Sequence, residues 1–276
     1  HLSIRRQRQM CIRDRTNKQL IENMEELFQG IARLIAKAID EKSPYTGGHC
    51  KRVPELTMML ANATHQHNTG PLADFVLTDA DRHELSVAGW LHDCGKIATP
   101  EYVMDKASKL QTIFDRIELV DAKIEIAKRD FELSLTGPLY LASYQQDQAQ
   151  VALLQQQLAQ GLAALDAQRE FLRKANIGGE FMDKSDQQQV ADLGRQQQIC
   201  IAGQRQNLLS DNEIYNLSIA RGTLTPEERQ IINRHMNITV DMLESLPFPK
   251  HLQRVPEFAC GHHEKMDGTG YPKGLK

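Results

Sequence analysis

At 276 residues the chain is long enough for one or two domains with a full core. Hydrophobic residues make up 41% and charged residues 25%, the balance of a soluble globular protein, and a net charge of −3 argues against a surface that coats large nucleic acid. No apolar run reaches the roughly 18 residues that cross a membrane. A small anionic substrate stays open, because metal ions would supply local positive charge.

The chain opens oddly. Gln9-Met10-Cys11-Ile12-Arg13-Asp14-Arg15 resembles translated adapter sequence, so residues 1–15 are expected to be a non-native tail; a basic tail behind an upstream domain is the alternative. Arg5, Arg6, Arg8, Arg13 and Arg15 break any signal peptide. Residues 16–41 read as a signalling or linker helix, with Leu20, Ile21, Met24, Leu27, Phe28, Ile31, Leu34, Ile35 and Ala38 at helical spacing. The Ser43–Gly48 stretch stops it. A helix carrying His49 and Val53 follows, and Thr78-Asp79 caps another that runs to Gly95 with Leu85, Ala88 and Leu91 buried. Thr99-Pro100 opens a short one.

Residues 111–221 differ in character. They are rich in Gln, and apolar residues step by threes and fours through Ile113, Ile117, Val120, Ile124, Ala127 and Phe131. The pattern returns at Val151, Leu154, Leu158, Leu165 and Leu172, weakened by Gly161 and Gln168. Two long antiparallel helices are expected, with an intermolecular coiled coil as the alternative. Thr136-Gly137-Pro138 interrupts the first run and Ile177-Gly178-Gly179 ends the second. Ser210-Asp211-Asn212-Glu213 and Thr225-Pro226-Glu227-Glu228 are capping boxes. A final helix through Leu252, Val255, Phe258 and Ala259 delivers His262 and His263. No stretch sustains strand alternation, so the fold class is all-α. Cys11, Cys50, Cys94, Cys200 and Cys260 form no CxxC pair, which fits a reducing cytoplasm.

Two clusters carry chemistry. His92-Asp93 are helical neighbours about 100° apart, able to grip a metal pair lying between their directions. A carboxylate can bridge two ions, and Lys96 can reach a phosphate oxygen. Alone, this dipeptide reads more readily as a buried histidine beside a capping aspartate. The second cluster, His262-His263-Glu264-Lys265-Met266-Asp267-Gly268-Thr269-Gly270-Tyr271-Pro272, is denser. Its glycines allow close backbone approach to a ligand, and Tyr271 offers a hydroxyl. The bland alternative is a polar surface loop.

His92-Asp93-Cys94-Gly95-Lys96 matches the HDxGK motif of the HD superfamily, and residues 262–272 match HHExxDGxGYP. The chain resembles the HD-GYP domain, a bacterial family of cyclic di-GMP phosphodiesterases, over about residues 40–110 and 222–276. The resemblance implies an HD-type helical bundle, its core split into residues 42–110 and 222–276 by the helical insertion at 111–221. It implies His49, His92, Asp93, His235, His262 and His263 as ligands of two divalent ions of iron, manganese or zinc, with Asp93 as the bridge. Asp93 and Lys96 would be catalytic, and Lys96, Gly268, Gly270 and Tyr271 would contact substrate. His65, His67, His83 and His251 have no motif partner and are taken as structural.

The chain departs from the family in three ways. Tyr45 stands where members with a third metal carry glutamate, so two ions are expected. The insertion replaces a short connection. The family's last aspartate ligand lies on a helix beyond Lys276, so this chain alone is expected to be impaired. The implied reaction is hydrolysis of cyclic di-GMP to pGpG, with further cleavage to GMP left open, in bacterial cytoplasmic signalling, with an upstream sensor and a homodimer through helices as partners. The alternatives are a non-catalytic cyclic-dinucleotide sensing module and an HD phosphohydrolase acting on another nucleotide.

Overall fold

A computed structural model describes residues 2–43, 48–179 and 181–275, with side chains from residue 13 onward. Tyr45 and the rest of the stop signal at 44–47 lie outside the described residues. In chain order the helices begin with α1 (Leu2–Lys42), α2 (His49–Gln66), α3 (Asp79–Leu91) and α4 (Glu101–Met104). Next come α5 (Ile117–Tyr144), α6 (Gln148–Asn176), α7 (Lys184–Gln196), the strands β1 (Gln198–Ile201) and β2 (Gln204–Asn207), and α8 (Asp211–Leu217). The chain closes with α9 (Pro226–Asn233), α10 (His235–Glu244) and α11 (Val255–Cys260). Among the described residues no helix is long and apolar enough to cross a membrane. The backbone forms two compact units, His1–Met104 with Ile231–Lys276, and Asp105–Gln230.

In the first unit, α1 runs as one helix through the stretch read as a tail. Its buried face is Ala32, Ala36 and Ile39, packed with Val87, Ala88 and Leu91 of α3 and with Leu243, Val255 and Ala259. Each large aliphatic side chain buried here contributes about 1.5–3 kcal/mol. Thr78 caps α3 through a capping box with Asp81. The helix ends at Leu91 rather than continuing to Gly95, and residues 94–98 tighten into a 3₁₀ turn. Lys42 closes that turn from outside, donating to the carbonyls of Ile97 and Thr99, each at 2.6 Å.

In the second unit, α5 and α6 pack against each other as a hairpin, the intramolecular arrangement expected from their spacing. Val120, Ile124 and Ala127 of α5 meet Leu165 and Leu172 of α6 in one core with Val190, Ile199, Leu208 and Leu217. Three details differ from the sequence expectation. Ile113 is 98% exposed and precedes the helix. The helix also runs through Pro138 to Tyr144, so the proline does not interrupt it. There the hydroxyls of Ser134 and Thr136 donate to the carbonyls of Phe131 and Glu132. Gly161, read as a weak point in the seam, is where the Phe131 ring lies: a Cβ there would sit 2.0 Å from Phe131 Cε1.

The strands are the other departure from an otherwise helical chain. β1 and β2 pair antiparallel, with Gln198 opposite Asn207 and Ile201 opposite Gln204. Ala202 and Gly203 turn between them with φ of 51° and 77°. That left-handed pair is what a two-residue hairpin demands, but Ala-Gly is a weaker cue than Asn-Gly, and four residues show too little alternation to be noticed.

Candidate metal centre

Three segments of the first unit converge on Asp93. His49 opens α2, just after Gly48 in the left-handed region at φ 75°. Asp40 accepts a hydrogen bond from Cys50 N at 3.1 Å and ties that turn to α1. Gly89 of α3 lets Pro54 of α2 approach, since a Cβ would lie 3.1 Å from Pro54 Cα. His92 and Asp93 follow the end of α3, and His235 opens α10.

Gly95 joins the 3₁₀ turn to α10. A Cβ on it would lie 2.0 Å from the His235 carbonyl and 2.7 Å from Thr239 N, and its own N–H donates to Thr239 Oγ1 at 3.0 Å. Arg254 fixes the last segment. Buried Glu84 of α3 accepts from Arg254 N at 2.5 Å and Nε at 2.9 Å, which sets α11 and the His262-His263 turn beyond it. Thr239, Glu84, Arg254 and Lys42 carry no sequence motif; their positioning roles come only from long-range packing.

Asp93 is 2% exposed and shares its two oxygens among several groups. Oδ2 lies 3.3 Å from His49 Nε2, 2.9 Å from His92 Nε2 and 2.7 Å from Lys96 Nζ. Oδ1 lies 3.4 Å from His235 Nε2 and 3.7 Å from His262 Nε2. Burial pushes the Asp93 carboxyl up, but the surrounding His262, His92 and Lys96 outweigh it and hold the group well below the usual carboxylate range.

The imidazoles are turned by their other nitrogen. Nδ1 of His92, His235 and His262 meets the carbonyls of Gly89, Ile232 and Ala259 at 2.7, 2.5 and 2.6 Å. A carbonyl only accepts, so each Nδ1 carries a proton and each Nε2 is turned toward Asp93. Asp93 Oδ1 and His235 Nε2 are both buried without a hydrogen-bond partner. Unpartnered polar atoms turned toward each other in a buried site call for a cation between them.

The ligand atoms fall into two sets, each within 4.8 Å: His49, His92 and Asp93, and His235, His262 and His263. Burial holds the His49 and His235 imidazoles below their ordinary value. Burial, then the neighbouring His262 and His235, push His263 down to about 4. Neutral imidazole at neutral pH is the ligand form. The donor set and its orientation fit divalent metal.

Around the site, Glu264 is a loop brace. Its carboxylate accepts from Lys273 N at 2.7 Å and Leu275 N at 2.8 Å. Asp267 accepts from the Thr269 amide and hydroxyl. Gly268 has φ 74°, and a Cβ on Gly270 would lie 2.5 Å from Glu264 Cα. Tyr271 stacks on His263, with ring centres 4.6 Å apart and planes at 14°. Lys96 does not point away toward a phosphate; its ammonium sits on Asp93. Among the remaining histidines, His65 Nδ1 accepts from Leu77 N at 3.1 Å, and His83 and His251 lie beside each other away from Asp93.

Comparison with known proteins agrees with this region. The HD domain family matches residues 204–276, which hold His235, His262, His263 and the glycine-rich loop. Over 80 residues the chain is 36% identical to a 3′3′-cGAMP-specific phosphodiesterase 3 of Vibrio cholerae, covering 29% of this chain and 15% of the relative. Over 55 residues it is 47% identical to a cyclic di-GMP phosphodiesterase of Thermotoga maritima, covering 20% and 15%. A 3′3′-cGAMP-specific phosphodiesterase 1 of Vibrio cholerae is 33% identical over 85 residues, covering 31% and 17%. The matched stretches thus span less than a fifth of each relative's length. No solved structure matches the chain. Residues 204–276 thus match the HD domain family, and the HDxGK residues come to the same carboxylate-centred cluster as the HHExxDGxGYP histidines.

Proposed function

We propose that the protein is a dinuclear-metal phosphodiesterase that hydrolyses a cyclic dinucleotide, with cyclic di-GMP as the substrate and pGpG as the first product. The observation that carries this reading is the sharing of Asp93 between two sets of inward-turned imidazoles. His49, His92 and Asp93 would hold one divalent ion; His235, His262 and His263 would hold the other, with Asp93 as the bridge. Bound ions would supply Lewis acidity and an activated water for attack on phosphorus. All-nitrogen-and-oxygen donors suit iron, manganese or zinc.

The chain's own residues do the rest. The carbonyls of Gly89, Ile232 and Ala259 keep the imidazoles aimed and in one tautomer. Lys96 balances Asp93 and lies where it can shift toward a phosphodiester oxygen. Gly268, Gly270 and Tyr271 shape the cleft, and Glu264 holds their loop. We place the reaction in the bacterial cytoplasm, downstream of a sensor that acts through α1. The test is binding and turnover of cyclic di-GMP and 3′3′-cGAMP, side by side, by the full-length protein with manganese or ferrous iron. A linear product from cyclic di-GMP supports the reading. Tight binding without turnover supports a sensing module, and preference for 3′3′-cGAMP moves the substrate.

A homodimer through α1 has its own support. Leu20, Met24, Leu27, Ile31 and Leu34 step by fours and threes along the helix and are 57, 63, 64, 46 and 66% exposed. This is a coiled-coil seam, separate from the face that packs on α3. A second copy in register supplies the matching seam over about 20 Å. Leu27→Lys combined with Ile31→Lys is expected to halve the mass measured by sedimentation equilibrium. A parent protein that sediments as a monomer contradicts the dimer.

A further inference from the structure

The two ends of the α5–α6 hairpin are built from different chemistry. Its base is laced with ion pairs: Arg173 on Asp121, Arg169 on Glu125 and Lys128 on Asp166. Beyond them charge disappears. Between Glu132 and Asp166 the only charged residue is Asp147, and it serves as the cap of α6, accepting from Gln150 N at 3.0 Å. The whole chain is 25% charged, so this stretch is not an ordinary solvated surface.

Its outer face is also apolar. Leu133, Tyr140 and Tyr144 are 70, 74 and 79% exposed, and Leu141 on their flank is more than half exposed. With Gly137 they step by four, three and four, so Leu133, Gly137, Tyr140 and Tyr144 form one stripe about 60° wide. It lies opposite Phe131, Leu135, Leu139 and Ala142, the buried and half-buried positions of the same segment. Exposed tyrosine and leucine without charge is the composition of an interface core.

The stripe is complementary to itself. Turned end for end about its midpoint, it sets Leu133 against Tyr144 of another copy and Gly137 against Tyr140. A Cβ on Gly137 would meet nothing within 4 Å, so a ring has room there. Inside the hairpin the chain already uses this pairing, the Phe131 ring over Gly161. The step of four, three and four is that of an antiparallel knobs-into-holes seam.

We propose that this face of α5 binds the same face of a second copy, antiparallel and about a two-fold axis. At about 150–250 Å² for a whole aromatic side chain, the four tyrosines with their leucines bury on the order of 1,000 Å² in all, the least that a specific interface needs. An acidic or basic partner would find no countercharge on this face. A lipid surface would have to bury the amides of Gln145, Gln146 and Gln148 at the hairpin's end, all exposed. The contact rests on neither the metal chemistry nor the α1 seam.

The test is sedimentation equilibrium of the full chain carrying Leu27→Lys and Ile31→Lys, so that the α1 contact does not contribute. A dimer is expected. Adding Tyr140→Glu or Leu133→Glu is expected to weaken association by about 30-fold or more, the loss of one central anchor. Both side chains are exposed, and circular dichroism checks that the variants stay folded. Gln156→Glu puts the same charge on the exposed face of α6 and is expected to leave the dimer intact. A monomer before any hairpin substitution overturns the proposal, and flotation of that monomer with phosphatidylcholine vesicles would give the face to lipid instead. A dimer indifferent to Tyr140→Glu, or lost equally in Gln156→Glu, also overturns it.

Discussion

Asp93→Ala is expected to lower cyclic-dinucleotide turnover by about 10³-fold or more and to strip the protein of bound metal. The size follows from its place. One carboxylate, 2% exposed, is within 3.7 Å of four imidazoles and one ammonium. Without it, neither ligand set keeps an anionic member, and the Lys96 ammonium is left in the site without its countercharge. Asp93→Asn makes the sharper companion, because it keeps the shape and removes only the charge. Metal content and turnover measured on both variants check this. Wild-type turnover in Asp93→Ala would show that the assignment of the metal bridge is wrong.

Gly95→Ala is expected to destabilise the protein by about 2–3 kcal/mol and to weaken metal binding with it. The added methyl would lie 2.0 Å from the His235 carbonyl and 2.7 Å from Thr239. The Gly95 backbone is not in the left-handed region, so the cost is steric and falls on the spacing between the 3₁₀ turn and α10. That spacing sets Asp93 against His235. Thr239→Val separates the two contributions: it keeps the volume, removes the acceptor of the Gly95 N–H, and should cost about 1–3 kcal/mol. Denaturant unfolding of both variants, with metal titration, is the check. A Gly95→Ala protein as stable as its parent and with equal metal affinity would mean that α10 yields freely.

The helical class was readable because its determinants are local. Thr78 reads as a helix cap and Ser210 with Glu213 as a capping box, and both form in the fold. The steps of three and four from Ile117 to Phe131 are a packing face whose partner run is also visible. What escaped depends on distant neighbours. Gly161 reads as a defect until the Phe131 ring is placed over it. Pro138 reads as a breaker, although an exposed helix can absorb one missing N–H.

The apolar positions of α1 divide between two faces, one packed on α3 and one exposed, and no linear pattern says which residues serve which. At the site, the two motifs pointed to His92, Asp93, His262 and His263, the family resemblance added His49 and His235, and the structure brings them to one place. The contacts that hold them there were silent: Thr239 under the Gly95 amide, Glu84 on Arg254, Lys42 on the 3₁₀ turn. Each joins residues tens of positions apart or more. Lys96 was expected to meet phosphate and instead lies on Asp93, an electrostatic preference that a motif cannot display.

The central claim is that two metal ions on this cluster drive hydrolysis of a cyclic dinucleotide. Its most direct test is to titrate chelator-treated full-length protein with manganese while following cyclic di-GMP conversion to pGpG. Turnover is expected to be absent without metal and to rise until two equivalents per chain are bound. Activity that persists without metal, or that saturates at one equivalent, would contradict it.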